Sequence, residues 1–479
     1  MTTKGVIGST DNAIELMEPM KIARAFIEAN CRTPEGRQGL WYWRGNFWLW
    51  HGGVWVMRDA ELMHDMIFKW GEDVHCWVRV GKGVAIQRWA PTRSKVDDVV
   101  GAIAALTRSP WTRAPLWTDD LQNNVMGRAR PDTCIGFLDK VVSVGGGEVK
   151  TYDRSEAWFD PAVVPVEYQP EAACPTWERV LDEWSMGNEE WKKTLRMFMG
   201  YSLMSTRKHA KFLLLYGATR GGKGVITRVL KNLIGDSCFW SSSMKSLADT
   251  FGLDGAERAK VLSVGEVGQL EWGDGQTFSV ILKNILGEDA MSVNIKHKRQ
   301  MANVVCHAAP ILSSNEIPHI PNKGDSITSK MLVLPFRRSF RDKPDLTLTE
   351  KLLAELPGIA SWCVEGARML ESGEPWPEVK EARDVVETYR GLNNPLEMFL
   401  SSKFVKDPNG FVSNQTILTE WMDYKTKNQL QDRTPLNHLF VKLETDTSWN
   451  LTRMRKRIPE LGQQLAGIRG IRLAHTEQG

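Results

Sequence analysis

The chain has almost no net charge: 61 Lys and Arg stand against 58 Asp and Glu, a formal balance of +3 over 479 residues. There is no polybasic tail, so any contact with nucleic acid has to come from local patches. Cysteine is sparse and scattered. Cys31, Cys76, Cys134, Cys174, Cys238, Cys306 and Cys363 include no C-x-x-C pair, which excludes a disulfide framework and a zinc knuckle. The nine histidines are equally dispersed. No apolar run reaches the ~18 residues needed to cross a bilayer, and Met1-Thr-Thr-Lys-Gly5 opens no signal-peptide core. The expectation is a chain without a membrane partner in a reducing, cytoplasmic setting. Internal repeats and low-complexity segments are also missing.

What is present is an ordinary globular composition with room for about three domains. The expected divisions are 1–172, 173–390 and 391–479, with the first boundary in the proline-punctuated stretch Asp160–Pro175. Half of the 20 tryptophans fall before residue 118. The run Gly39–Val56 predicts a hairpin turning at Gly52-Gly53. Its aromatics either stack on single-stranded nucleic acid or pack a small α/β module. Packing is the expectation, because large aromatics usually supply core area. Ser94–Leu106 predicts an amphipathic helix.

The most informative segment is Lys211–Tyr216 followed by Gly217-Ala-Thr-Arg-Gly-Gly-Lys-Gly224. It predicts a buried strand, a glycine-rich turn and a helix, with Gly217, Gly222 and Lys223 at the spacing of a phosphate-binding loop. Backbone N–H groups of Gly217, Ala218, Thr219, Arg220, Gly221, Gly222, Lys223, Gly224 and Val225, with the helix N-terminus behind them, would cradle phosphates, and Lys223 would reach the outer ones. Val225, Ile226, Val229, Leu230, Leu233 and Ile234 carry the helix, and Gly235 ends it. A hydroxyl that ligates Mg²⁺ usually follows the lysine. Here Gly224 and Val225 stand there, which leaves water, Thr219, Thr227 or a distant carboxylate to hold the metal.

An ATPase also needs an acid and a γ-phosphate sensor. Lys260–Glu266 predicts a buried strand ending in Glu266, the candidate Walker B acid and Mg²⁺ ligand, with Asp254, Glu257, Glu271 and Asp274 as possible supplements. Ala309–Asn315 predicts the next strand, with Asn315 as sensor. Between them Lys296, His297, Lys298 and Arg299 form the densest basic cluster of the central region. It is either a hairpin that meets DNA phosphates or a solvated charge run.

Taken in order, Gly217–Gly224, Leu247–Gly252, Gly287–Ala290, Leu312–Pro318, Ser329–Phe340 and Leu352–Trp362 resemble superfamily 3 helicases of the phage and plasmid primase-helicase type, related to poxvirus primase-helicases. The resemblance spans roughly residues 35–479. It implies an α/β fold: an AAA+ P-loop ATPase core, an α+β helicase-associated N-terminal domain and a C-terminal winged helix. It implies ATP and Mg²⁺ as cofactors and a ring, usually a hexamer, that moves 3′ to 5′ on single-stranded DNA and opens forked DNA. The family's nucleotide residues fall on Lys223, Glu266 and Asn315, and its DNA-gripping hairpin on Lys296, His297 and Lys298. Its arginine finger falls on Lys330, a point charge in place of a planar fork, with Arg337 or Arg338 as the alternative.

No zinc ribbon and no polymerase carboxylate set precedes residue 172, so priming would fall to a separate primase or polymerase. From Asn394 onward, two capped helices and the basic run Arg453–Arg457 fit a winged helix-turn-helix, and DNA or a partner protein would meet that run. The expected function is an ATP-driven replicative helicase. The alternative is an origin-binding or loader protein that melts DNA without processive unwinding.

Overall fold

The computed structural model describes residues 6–7, 18–119, 128–265, 267, 272–294, 301–318, 320, 326–342, 344–393, 395–427, 436–445, 449–458 and 463–474. It is a mixed α/β architecture with several sheets.

The N-terminal region starts with a helix, Pro19–Asn30, and a three-stranded meander, Leu40–Trp43, Asn46–His51 and Val54–Arg58. Both turns of the meander have two consecutive positive φ angles: 49° and 81° at Arg44-Gly45, 59° and 83° at Gly52-Gly53. That backbone matches the right-handed twist of the paired strands, which makes Gly52-Gly53 a strong local turn signal. Trp43, Trp48 and Trp55 are buried against Phe159, so these aromatics pack. The helix expected at Ser94–Leu106 spans Arg93–Leu106, and its N-cap Thr92 accepts a hydrogen bond from Lys95. It closes a core with Ile22, Phe26, Met63, Ile67 and Trp89. The following strands, Cys134–Phe137 and Lys140–Ser143, place Ile135, Phe137 and Val142 in a different buried cluster, the one that also fills the central sheet.

That central sheet has five strands, all parallel, in the spatial order Phe239–Ser242, Val261–Val264, Ala309–Ser314, Phe212–Gly217, Met331–Phe336. Buried on both faces, the strands read as continuous apolar runs such as Phe212-Leu-Leu-Leu215 and Met331-Leu-Val-Leu-Pro-Phe336. Helices Glu189–Leu203 and Leu356–Glu371 pack together beside it at Gly200 and Gly366. A Cβ on either would sit 2.3 Å from the Ala367 nitrogen or 2.0 Å from the Arg196 oxygen. Trp184 and Trp191 from the preceding helices cover Phe336, and the Trp191 indole donates to the Pro335 carbonyl at 3.2 Å.

The C-terminal region runs helix Pro395–Lys403, strand Phe404–Ser413, helix Asn414–Lys427, helix Leu436–Thr445, then strands Thr452–Ile458 and Gln463–Leu473. The last strand is central, between the other two. Between Asp407 and Phe411 the first strand shifts its register against Gly470 and Arg469.

Candidate functional site

Parallel sheets bind ligands beyond the carboxyl ends of their strands. Here the strands Val261–Val264, Ala309–Ser314 and Phe212–Gly217 are neighbours, so the residues that follow them share that edge: Gly265 and Val267, Asn315, and 217–222.

The phosphate-type loop folds as its glycines require. Gly217 and Gly222 have φ of 122° and 112°. A Cβ on Gly217 would lie 2.3 Å from the Phe336 carbonyl, and one on Gly222 would lie 2.5 Å from the Trp184 indole. Helix Lys223–Ile234 follows at once, buries Ile226, Val229, Leu230, Leu233 and Ile234, and ends at Gly235 with φ 81°.

Lys223 is 9% exposed, and its ammonium donates to the carbonyls of Gly217 at 2.6 Å and Ala218 at 2.8 Å. Its third acceptor is Oδ1 of Asn315, at 2.8 Å. The structure thus brings the candidate lysine and the candidate sensor into direct contact. All three acceptors are neutral, and among the described residues no carboxylate pairs with Lys223. Burial pushes its pKa below the ordinary lysine value. A buried, uncompensated cation beneath a glycine cradle fits an anionic phosphate chain.

A feature that sequence reasoning missed is a strap from the neighbouring strand. The Ala218 N–H donates to the Phe336 carbonyl at 2.9 Å, the Ser339 hydroxyl to Thr219 O at 2.9 Å, and the Phe340 N–H to Arg220 O at 3.1 Å. Arg220 itself has φ 58°, an uncommon value for a residue with a side chain. Arg337 and Arg338 are exposed on this strap, beside the loop of their own chain. The strap falls within Ser329–Phe340, one of the stretches that carry the resemblance, but nothing in its residue types marked its hydrogen bonds to the loop backbone.

Lys330 lies elsewhere. It immediately precedes strand Met331–Phe336, level with the start of the loop strand, since Phe212 pairs with Met331. Six strand residues, about 20 Å, separate that level from the loop, so Lys330 does not reach it in the same chain. Glu266 lies outside the described residues. Its neighbour Val267 donates to Ser313 O at 2.9 Å, which ties the turn after Val264 to the sensor strand. Lys296, His297 and Lys298 also lie outside the described residues. The strands that flank them, Ala290–Val293 and Met301–Val305, pair antiparallel.

The Mg²⁺ donors are not assembled among the described residues, which hold no group of three metal-type ligands. Thr227 donates its hydroxyl to Lys223 O at 3.3 Å, and Thr219 is exposed. Glu257 is no supplementary acid. It precedes the strand Val261–Val264, accepts from Gly255 N at 3.1 Å and pairs with Arg258 at 2.6 Å.

Residues 215–338 match the model of a family of unknown function (DUF5906), a span that runs from the loop strand through the sensor to the strap. No curated protein matches. The fold is shared along nearly the whole chain with the C-terminal region of NrS-1, residues 305–718, in its apo structure. The TM-score is 0.54 at 11% identity, covering 95% of this chain and 99% of that one. An A-form apo structure of the same region gives 0.53 at 12% identity, with 95% and 100% covered.

Proposed function

We propose that this chain is an ATP-driven, Mg²⁺-dependent replicative DNA helicase of a phage or mobile element. In this reading it has an AAA+ core of the superfamily 3 type, acts on single-stranded and forked DNA as a homo-hexameric ring, and is primed by a separate polypeptide. The contact between Lys223 and Asn315 carries the reading. It joins the candidate phosphate-binding lysine and the candidate polar sensor across adjacent parallel strands, at the carboxyl edge of the sheet. Lys223 would hold the outer phosphates, and Asn315 would fix the water or γ-phosphate. Glu266 would hold Mg²⁺, the Lewis acid of the reaction.

Lys330 lies too far from its own loop to act on a nucleotide there, so any role as the finger would be across a subunit boundary. The helix–strand–helix–helix–strand–strand order of residues 395–473 supports a winged helix.

A loader that melts DNA without processive unwinding is the second reading. The observation in its favour is Gly224-Val225, which leaves the first helical turn without a metal-binding hydroxyl. A strand-displacement assay on a forked duplex separates the two. Steady displacement with ATP, lost in Glu266→Gln, supports the helicase; ATP turnover with melting but no displacement beyond the first few base pairs supports the loader. Mixing Lys330→Ala with Lys223→Ala protomers should restore part of the activity. No recovery in a mixture shown to co-assemble would end the trans role.

A further inference from the structure

A second DNA contact lies far from the motifs above, on the antiparallel hairpin His75–Val80 and Gly83–Arg88. The ladder pairs His75 with Arg88, Trp77 with Ile86 and Arg79 with Val84, which puts all six on one face. The opposite face is fixed inward, because Cys76 and Val78 belong to the core cluster of Ile22 and Phe26. The outer face is therefore held toward solvent, with Val84 38% and Ile86 47% exposed.

Trp77 is unusual among its kind. Among the tryptophans whose side chains are described, it alone belongs to no apolar cluster and packs on none. It is half-buried, flanked by Ile86 across the ladder, and makes no ring contact with another described aromatic. Trp77 does not stand alone, however: with Val84 and Ile86 it makes an apolar strip on the outward face of the hairpin.

Charge identifies the partner of this face. Residues 74–89 contain Arg79, Lys82 and Arg88 and no Asp or Glu, so this one hairpin carries the same excess as the whole chain, +3. Arg79 and Lys82 form no ion pair among the described residues, and Arg88 uses only Nε, on the Glu72 carbonyl at 2.7 Å. Strand Gly83–Arg88 is also an edge, paired on one side only. A second copy of the hairpin would bring like charges together there, whereas a polyanion would not. An outward-facing aromatic amid cations is the arrangement that binds unpaired bases and their phosphates together.

We propose that this face is a binding site for single-stranded DNA, with Trp77 stacked on a base and Arg79, Lys82 and Arg88 on phosphates. The inference rests on the DNA-directed reading above and adds a site within the N-terminal region.

The test is fluorescence anisotropy of a labelled oligo(dT) with the full-length chain, without nucleotide, over a series of salt concentrations. Trp77→Ala should bind roughly tenfold more weakly at an unchanged salt slope, since stacking carries no counterions. Trp77→Phe should recover most of the affinity, which a merely misfolded variant could not explain. Arg79→Ala/Lys82→Ala should lower the log–log salt slope by about 1.4, roughly 0.7 for each phosphate no longer neutralised. Wild-type affinity and slope in these variants, beside a wild-type chain that binds, would overturn the hairpin site and leave the helicase reading standing. A wild-type chain that ignores the oligonucleotide here would overturn the hairpin site, and one that ignores it with ATP and Mg²⁺ added as well would overturn the helicase reading too. A Trp77→Ala variant that binds DNA normally but sediments as a smaller assembly would assign the face to a subunit contact and overturn the proposal.

Discussion

At the amino end of the central sheet Arg207 is enclosed by backbone. It donates to the carbonyls of His307, Tyr201, Thr206 and Lys260 at 2.6, 2.9, 2.7 and 3.1 Å, and the Tyr201 ring lies 4.7 Å away. At the carboxyl end Lys223 is also buried and also held by carbonyls. Burial lowers the pKa of both. The difference is in what holds them. The acceptors of Arg207 sit at the ends of strands and helices buried in the core, and Lys260 beside it is paired with Asp160 at 3.4 Å. The acceptors of Lys223 are a glycine-rich loop and one asparagine, with Thr219, Arg220 and Gly224 exposed around them. The first cation is part of the frame. The second can exchange its acceptors for a ligand, because the loop that satisfies it is short and open to solvent.

The sharpest way to break this contrast is to remove each cation in turn. Lys223→Ala should abolish ATP turnover, at least about 10³-fold, without lowering the melting temperature, because it deletes a buried charge that the resting chain does not need. Asn315→Ala, in the same site, should cost about 10²-fold in kcat with a smaller change in KM. Arg207→Met should do the reverse of Lys223→Ala. The carbonyls of His307, Tyr201 and Thr206 lose the Arg207 donor, while Lys260 O keeps the Ala309 N–H at 2.8 Å, for about 3–5 kcal/mol and a melting temperature lower by about 10 °C. Turnover per folded molecule should be retained. Calorimetry and a coupled ATPase assay on the three variants check all of this. A Lys223→Ala chain that melts like Arg207→Met would show that both cations belong to the frame.

The two ends were not equally legible in the sequence. The loop, its helix and the strand before Asn315 stood out because glycine spacing and buried apolar runs are local signals, and the structure has them at Phe212–Gly217, Lys223–Ile234 and Ala309–Ser314. The order of the strands was not legible, since every parallel strand carries the same Val, Ile and Leu pattern. Arg207 was invisible because its partners are carbonyls from residues 201, 206, 260 and 307, and a carbonyl leaves no mark on composition. Glu257 misled because nearness in sequence to Glu266 placed it at the wrong end of a strand. The strand Phe404–Ser413 was hidden because Pro408-Asn409-Gly410 is turn chemistry, which here makes a bulge.

The smallest effect lies at the framing end, where a histidine shares the Tyr201 surroundings. The His209 ring stands edge-on to Tyr201 and Trp376, with centroids 5.8 and 5.9 Å away, and its Nε2 has no hydrogen-bond partner among the described residues. Burial first, and the charge of Lys208 second, hold its pKa below the usual 6.5. The folded chain therefore resists a proton that the unfolded chain accepts near pH 6.5. Above that pH both forms are neutral at this site and it contributes no pH dependence. As the pH falls from about 6.5 toward the lowered value, the unfolded state binds more protons and stability declines. His307 acts in the same direction, since burial lowers its pKa too, although Glu288 at 2.8 Å opposes the shift. Carboxylates held low by partners, such as Asp345 beside Lys351, lose their pairs only in a more acidic range, so the two windows separate. The melting temperature should fall between pH 7.5 and 5.5, and His209→Phe, which keeps the ring without a titrating group, should flatten part of that fall. Parallel curves for wild type and His209→Phe would show that the ring is open to solvent in the folded chain, and that the framing end is less closed than its contacts with Arg207 require.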